Sequence, residues 1–211
     1  MLFERGVPFR PDWEAVLTPV YDAMAARPDV DPDRIAVIGV SRAGYWVPRA
    51  LAFEHRFAAA VADPGVVDVS ASWMSALPGM LRRELEQGRR AALEFRGEPY
   101  GVEGDSRFDL YERVLGYRLG DEAARITTAL LITDPDDEQF WPGQSRRLYD
   151  MLTGERELMR FTAEEGAHRH CEPMACGLRD TRIFDWLEPW LSPSGARAPA
   201  PGTARAGAYR H

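Results

Sequence analysis

Residues 34–44, RIAVIGVSRAG, decide the fold that this sequence predicts. The segment 34–39 is short, apolar and rich in β-branched side chains, which is typical of a strand buried in a parallel sheet. A turn of small residues follows at once, and the residues from Ser41 to about Phe57 predict a helix. A strand that runs directly into a helix is half of a parallel α/β unit, so the predicted fold class is α/β.

The same alternation of apolar runs and helical patterns continues along the chain. Further parallel strands are predicted at 57–62, 128–133 and 157–161, and the first two of these runs are short and apolar. Helical spacing predicts helices that start at Trp13 and cover 144–152 and 181–191. We therefore expect a mostly parallel sheet flanked by helices over residues 1–191. The side chains expected on the buried side of the last helix are Ile183, Phe184, Trp186, Leu187, Trp190 and Leu191.

Two segments differ in composition from this α/β pattern. Residues 66–126 are rich in Arg and Glu, with large apolar side chains at helical spacing, and predict a helical lid over the sheet. Residues 192–211 consist mostly of Pro, Gly, Ala and Arg, so we expect a disordered tail.

The turn after the first strand carries a serine. A serine hydroxyl is a good nucleophile only when it is exposed beside a base, and a sharp strand-to-helix turn exposes it. Gly39 and Ala43, two residues before and after Ser41, leave room for such a turn. The backbone N–H of Arg42 would then donate to the negative charge that develops on a substrate oxygen. Ser41 is thus the predicted nucleophile and Arg42 the predicted oxyanion donor; the alternative is that Ser41 only caps the helix.

Two histidines lie in the loop after the last predicted strand. A hydrolase with this strand–turn–helix arrangement places its base late in the chain, after that strand. His168 and His170 both satisfy this requirement. Physical reasoning on the residues alone leaves the two open.

The loop after the third predicted strand is crowded with acidic residues, one of which would orient the histidine. Asp134, Asp136, Asp137 and Glu138 are all candidates. The aromatic-aromatic-Pro segment at 140–142 follows directly, and in many such enzymes the acid precedes a segment of this kind. This favours Glu138 and then Asp137.

Two metal sites are alternative interpretations of the same residues. The four carboxylates of 134–138 could bind a hard cation, although such sites usually take more oxygen ligands from a shaped loop. A zinc site could combine His168, His170, Cys171 and Cys176, but their spacing matches no common zinc motif. We expect neither a metal nor another cofactor.

The chain order of nucleophile, acid and histidine is that of α/β-hydrolases. The sequence resembles bacterial α/β-hydrolases related to dipeptidyl aminopeptidases and acylaminoacyl peptidases. It also resembles enzymes of the 2,6-dihydroxypseudooxynicotine hydrolase type, which cleave a carbon–carbon bond. The matching stretches are 6–13 (GVPFRPDW), 31–44, 138–145 (EQFWPGQS) and 161–173 (FTAEEGAHRHCEP). The resemblance implies a serine hydrolase of ester, amide or carbon–carbon bonds.

The resemblance also selects among the site residues. In the family the catalytic histidine directly precedes a cysteine, which implies His170 rather than His168. The acid before the aromatic-Pro-Gly-Gln run is Glu138, and Asp137 stays as the alternative.

The predicted sheet is smaller than a complete hydrolase sheet. An α/β-hydrolase core has about eight strands, and four are recognised here. We therefore expect the C-terminal part of the fold, truncated before the strands and the loop that carries the second oxyanion donor. The alternative function is a non-catalytic remnant or a pairing module, which would include a homo-oligomer.

Composition narrows the classes of partner. The net charge of −7 argues against nucleic acid and anionic membranes, because both repel an acidic surface. No apolar run approaches the about 20 residues of a membrane helix. The two cysteines, five residues apart, form no disulfide framework and indicate a reducing, cytoplasmic setting. The expected partner is a small-molecule substrate.

Overall fold

The computed structural model describes residue 6, residues 8–72 and residues 113–193. Within these ranges four parallel strands form one sheet, in which each strand pairs with the next one along the chain. The strands are β1 (Ala36–Val40), β2 (Ala59–Asp63), β3 (Ala129–Pro135) and β4 (Arg156–Phe161). The predicted α/β class and its parallel sheet are confirmed.

Helices flank the sheet, and the predicted ones are present with shifted ends. They are α1 (Glu14–Ala25), α2 (Ala43–Leu51), α3 (Gln144–Met151) and α4 (Cys176–Leu191). Helix α2 ends six residues before the predicted Phe57, where the carboxylate of Glu54 accepts hydrogen bonds from the backbone N–H and guanidinium of Arg56. This side chain satisfies a backbone donor that a longer helix would have bonded itself. None of the helices in the described ranges is long and apolar enough to span a bilayer.

The central strands are buried on both faces. On one face, Ala60, Ala62, Leu130 and Ile132 pack in a core that includes residues of α1, α2 and α3. On the other face, Ala59, Val61 and Leu131 pack against Ile183 and Leu187 of α4. This alternation explains why β2 and β3 are continuous apolar runs in the sequence.

The buried side of α4 is narrower than predicted. Ile183 and Leu187 are 3% exposed, whereas Phe184 is 59% exposed. The prediction for Phe184 is wrong because the stripe that meets the sheet follows residues four apart, and Phe184 is rotated about 100° from Ile183 around the helix.

Strand β1 lies at an edge of the sheet. Of the described strands, only β2 pairs with it. Ile38 and Val40 are 40% and 46% exposed, and Ile38 stands opposite Val61 in the register, on the face that α4 covers at β2. An apolar surface is therefore exposed beside the edge of β1.

The two ends of the predicted lid belong to the core. Val66, Val67, Val114 and Tyr117 are almost fully buried, and Leu119 N donates to Val67 O at 2.8 Å, which joins the two ends. Residues 73–112 of the predicted lid and residues 194–211 of the predicted tail lie outside the described residues, so both stay predictions.

Candidate active site

The site lies where the carboxyl ends of the parallel strands meet. Ser41 directly follows β1, the loop 136–143 follows β3, and the loop 162–175 follows β4. Open parallel sheets present their reactive groups at this edge, since the loops from several strands converge there.

The turn at Ser41 has a strained backbone that its neighbours permit. Ser41 has a φ of 60°, in the left-handed region that is uncommon for a residue with a side chain. Its N–H donates to Asp63 O, at the end of β2, over 2.6 Å. A Cβ on Gly39 would lie 2.3 Å from Ala43 O, so only glycine fits at Gly39. The space around the turn is therefore fixed by the contact between β1 and the first turn of α2.

A second glycine is equally constrained, and the sequence pattern did not single it out. A Cβ on Gly44 would lie 1.8 Å from Pro64 O. Gly44 O also accepts from Val66 N at 3.1 Å, so the start of α2 and the segment after β2 are in direct backbone contact.

Three of the predicted site residues form one line of hydrogen bonds. Ser41 Oγ lies 2.9 Å from His170 Nε2, and His170 Nδ1 lies 2.9 Å from Glu138 Oε2. The side chains of His170 and Glu138 are 13% and 5% exposed. A hydroxyl, an imidazole and a carboxylate are thus within hydrogen-bond reach of one another, which is the geometry that nucleophilic catalysis by a serine requires.

The loop around Glu138 holds its carboxylate in the charged form. Its Oε1 accepts from Phe140 N at 2.8 Å and from Trp141 N at 3.1 Å. Burial alone would raise the pKa of Glu138, but the hydrogen bond with His170 and those from the two backbone N–H groups outweigh it and hold the pKa below its usual value. Glu138 is therefore ionised at neutral pH.

The alternative acid and the alternative histidine lie together, away from Ser41. The side chain of Asp137 is 61% exposed, and its Oδ2 is 3.9 Å from His168 Nε2. Asp137 N donates to His168 O at 2.8 Å, so the backbones of the acid loop and the histidine loop are bonded together. These two residues join the loops, whereas Glu138 and His170 reach the serine.

The four acidic residues of 134–138 do not converge on one point. Asp134 pairs with Arg146 of α3 and Asp136 with Arg160 of β4, while Glu138 contacts His170. In the part of the chain that the structure describes, no group of three or more His, Cys, Asp or Glu side chains is arranged to hold a metal ion.

The residues of the alternative zinc site have other partners. Both ring nitrogens of His170 are engaged by Ser41 and Glu138. Cys171 and Cys176 are free thiols, and burial raises the pKa of Cys171 to about 12. Among the described residues, no three of these four side chains are arranged to hold a metal ion.

Arg42, the predicted oxyanion donor, occupies the position between Ser41 and the first residue of α2. Backbone N–H groups at the start of a helix point toward incoming negative charge. The ring of Phe140, which is 51% exposed, lies 4.7 Å from that of His170 in an edge-on contact. An apolar wall thus stands beside the base.

The stretch after Glu138 anchors the segment that follows β2, a role that sequence reasoning missed. Gln144 Oε1 accepts from Val67 N and Asp68 N, both at 2.7 Å, and Ser145 Oγ accepts from Gly65 N at 3.1 Å. The available signal was the presence of two polar side chains, 144 and 145, at the start of a helix that faces the core.

The chain is similar to several known proteins in sequence and fold. The α/β hydrolase psoB of Aspergillus fumigatus is 38% identical over 81 residues, which cover 36% of this chain and 18% of that protein. The crystal structure of 2,6-dihydroxy-pseudo-oxynicotine hydrolase superposes with a TM-score of 0.71 at 18% identity, over 95% of this chain and 52% of that one. An acylaminoacyl peptidase of Pyrococcus horikoshii superposes with a TM-score of 0.52 at 18% identity, over 83% and 27% of the two chains.

The chain spans about half the length of the pseudo-oxynicotine hydrolase and a smaller share of the other two proteins. At these identities the two superpositions show that the fold is that of α/β-hydrolases. The family follows from the sequence, because residues 17–194 match the model of the prolyl oligopeptidase family. Since this match includes β1 to β4 and every loop of the site, the chain belongs to the prolyl oligopeptidase family.

Proposed function

We propose that the chain is a serine hydrolase that cleaves an ester, an amide or an activated carbon–carbon bond of a small-molecule substrate. The observation that carries the proposal is the line from Ser41 Oγ through His170 to Glu138, with two contacts of 2.9 Å. Membership of a hydrolase family supports the same reaction class.

In the first step His170 Nε2 takes the proton from Ser41 Oγ while Oγ bonds to the substrate carbonyl carbon. The imidazole becomes positively charged, and Glu138, ionised at neutral pH, stabilises that charge at Nδ1. The backbone N–H of Arg42 donates to the oxygen that becomes negative.

In the second step His170 returns its proton to the leaving group, and the acyl group stays on Ser41. Water then attacks the acyl carbon, and His170 Nε2 accepts a proton from that water. The acid product leaves as His170 Nε2 returns its proton to Ser41 Oγ. The starting state of both side chains is then restored.

We also propose that the reaction takes place in the cytoplasm. Cys171 and Cys176 are free thiols, the state that a reducing compartment maintains.

Hydrolysis of p-nitrophenyl acetate by the purified chain tests the reaction class. We expect turnover that Ser41→Ala lowers by at least about 10³-fold, because the nucleophile is lost. Ser192→Ala, at the end of α4, is the matched control and should keep the rate. Equal turnover in both variants would contradict the proposal.

A second candidate is a pairing module, favoured by the exposed Ile38 and Val40 beside the edge of β1. In this case a second copy of the chain would pair along β1 and continue the sheet, since free strand edges bind other strands. Light scattering after size exclusion should then give a dimer that Ile38→Lys converts to a monomer. A monomeric wild-type chain at all concentrations would exclude this candidate.

A further inference from the structure

Two carboxyl groups are buried beneath the serine and the histidine. Asp63 is the last residue of β2, and Glu172 follows His170 by two positions; both residues are 0% exposed. A buried carboxylate is costly unless hydrogen bonds or opposite charges compensate for the lost water. The partners of this pair therefore decide its protonation.

The pair has few such partners. Asp63 Oδ1 accepts from Thr133 Oγ1 at 2.7 Å. Asp63 Oδ2 and both oxygens of Glu172 accept no hydrogen bond from any other described group, and the two carboxyls lie within hydrogen-bond reach of each other. Arg179 Nη1 is 4.0 Å from Asp63 Oδ2, at the outer limit of an ion pair. One distant cation does not compensate for two buried negative charges.

The electrostatics of the pair favour one bound proton. Burial, followed by the negative charge of Asp63, raises the pKa of Glu172 to about 9. Burial also raises the pKa of Asp63, although the hydrogen bonds from Thr133 and Glu172 and the charge of Arg179 act in the opposite direction. Glu172 therefore holds the proton more readily than Asp63 does. The carboxylate of Asp63 then accepts the hydrogen bond that the protonated Glu172 donates.

The backbone at Glu172 is strained and needs support. Cys171 and Glu172 have φ values of 57° and 45°, two consecutive left-handed residues that are not glycine. Such conformations cost about 1–3 kcal/mol each and persist when the surroundings hold them. Here Arg179 Nη1 donates to Cys171 O at 2.9 Å, and Cys171 Sγ donates to Asp63 O at 3.6 Å.

We propose that Asp63 and Glu172 share a single proton, and that this buried acid pair positions the loop that carries His170 over the end of β2. In this arrangement Glu172 donates to Asp63 and fixes the strained turn directly after His170. The positioning role rests on the proposed hydrolase function, whereas the shared proton does not.

The shared proton makes stability depend on pH in a defined direction. Glu172 holds its proton more tightly in the fold than in the unfolded chain, where its pKa is near 4.5. The stabilising contribution is therefore full below about pH 4.5 and is lost as the pH rises through about 9. The other charged or titratable groups that act on the pair are His170, Arg179, Glu138 and Cys171.

Thermal unfolding from pH 6 to pH 9.5 tests the shared proton in Glu172→Gln, whose amide can donate to Asp63 at every pH. We expect the Tm of the wild-type chain to fall across this range relative to that of Glu172→Gln. The matched control is Glu164→Gln, an exposed carboxyl in the same loop, which should follow the wild type. Parallel curves for wild type and Glu172→Gln would overturn the shared proton. If Glu172→Gln does not fold, Asp63→Asn keeps the acceptor for Thr133 and removes the negative charge that helps to raise the pKa of Glu172. The fall in Tm should then become shallower without vanishing, because burial still raises that pKa, and an unchanged fall would overturn the shared proton.

The rate of fluorophosphonate labelling across the same pH range tests positioning. We expect wild-type labelling to decline by about fourfold by pH 9.5, because the pair loses its proton as the pH passes about 9, and labelling of Glu172→Gln to persist. Equal declines in both proteins would overturn the positioning role. A wild-type chain that is never labelled would contradict the proposed hydrolase function, while the comparison of Tm values would still test the shared proton.

Discussion

Asp137 and Glu138 are neighbours in the sequence but make different contacts. Glu138 is 5% exposed and bonds to His170, whereas Asp137 is 61% exposed and faces His168. The difference comes from the turn after β3, in which backbone N–H groups at 140 and 141 donate to Glu138. The proposed acid is therefore the carboxylate that the backbone already holds in its charged form.

At this scale we predict unequal effects of two conservative substitutions. Glu138→Gln should slow ester hydrolysis by about 10⁴-fold, because an amide does not stabilise the protonated imidazole. Asp137→Asn should leave the rate within about twofold, since its carboxylate is exposed and screened. Steady-state kinetics at neutral pH measure both variants, and a larger loss in Asp137→Asn would contradict the assignment.

The sequence identifies some of these individual residues and leaves others undetermined. Ser41 could be predicted because strand, turn and helix all surround it. His168 and His170 could not be separated physically, because both lie in one loop and the choice depends on which ring faces the serine. Glu172 was missed, since nothing in a loop sequence distinguishes an exposed glutamate from one that is fully buried.

The element that creates the nucleophile position is the unit of β1, its turn and α2. Gly39 meets the backbone at Ala43, and Gly44 meets the backbone at Pro64. The unit therefore contacts the end of β2, where Ser41 N donates a hydrogen bond to Asp63 O. The strained serine is held by packing between elements as well as by its own turn.

This contact predicts a large loss of stability for Gly44→Ala. The new Cβ would lie 1.8 Å from a backbone oxygen that no side-chain movement can displace. We expect the free energy of unfolding to fall by about 3 kcal/mol or more. Gly177→Ala in α4 is the matched control, because a Cβ there meets nothing within 4 Å. Chemical denaturation measures both, and a neutral Gly44→Ala would contradict the packing.

The existence of strands and helices was predictable, and their ends were less so. Buried strands are apolar runs, so β2 and β3, which are buried along most of their length, could be recognised from composition. The end of α2 depends on a hydrogen bond that Arg56 N donates to the carboxylate of Glu54, and the exposure of Phe184 depends on where α4 meets the sheet. Neither contact leaves a periodic signal in the sequence.

For the whole molecule, three loops from three strand ends meet at one edge of a four-stranded sheet. The chain covers about half of the pseudo-oxynicotine hydrolase, yet Ser41, Glu138 and His170 all lie within it. The exposed apolar side chains beside β1 mark the edge where the described sheet ends. We propose that this sheet presents an activated serine.

Covalent labelling of the purified chain with a fluorophosphonate probe, mapped by mass spectrometry, tests that claim most directly. We predict a single adduct on Ser41 that is absent in Ser41→Ala and much slower to form in His170→Ala. A cooperatively folded chain that gains no adduct, or gains it on a different serine, would contradict the claim.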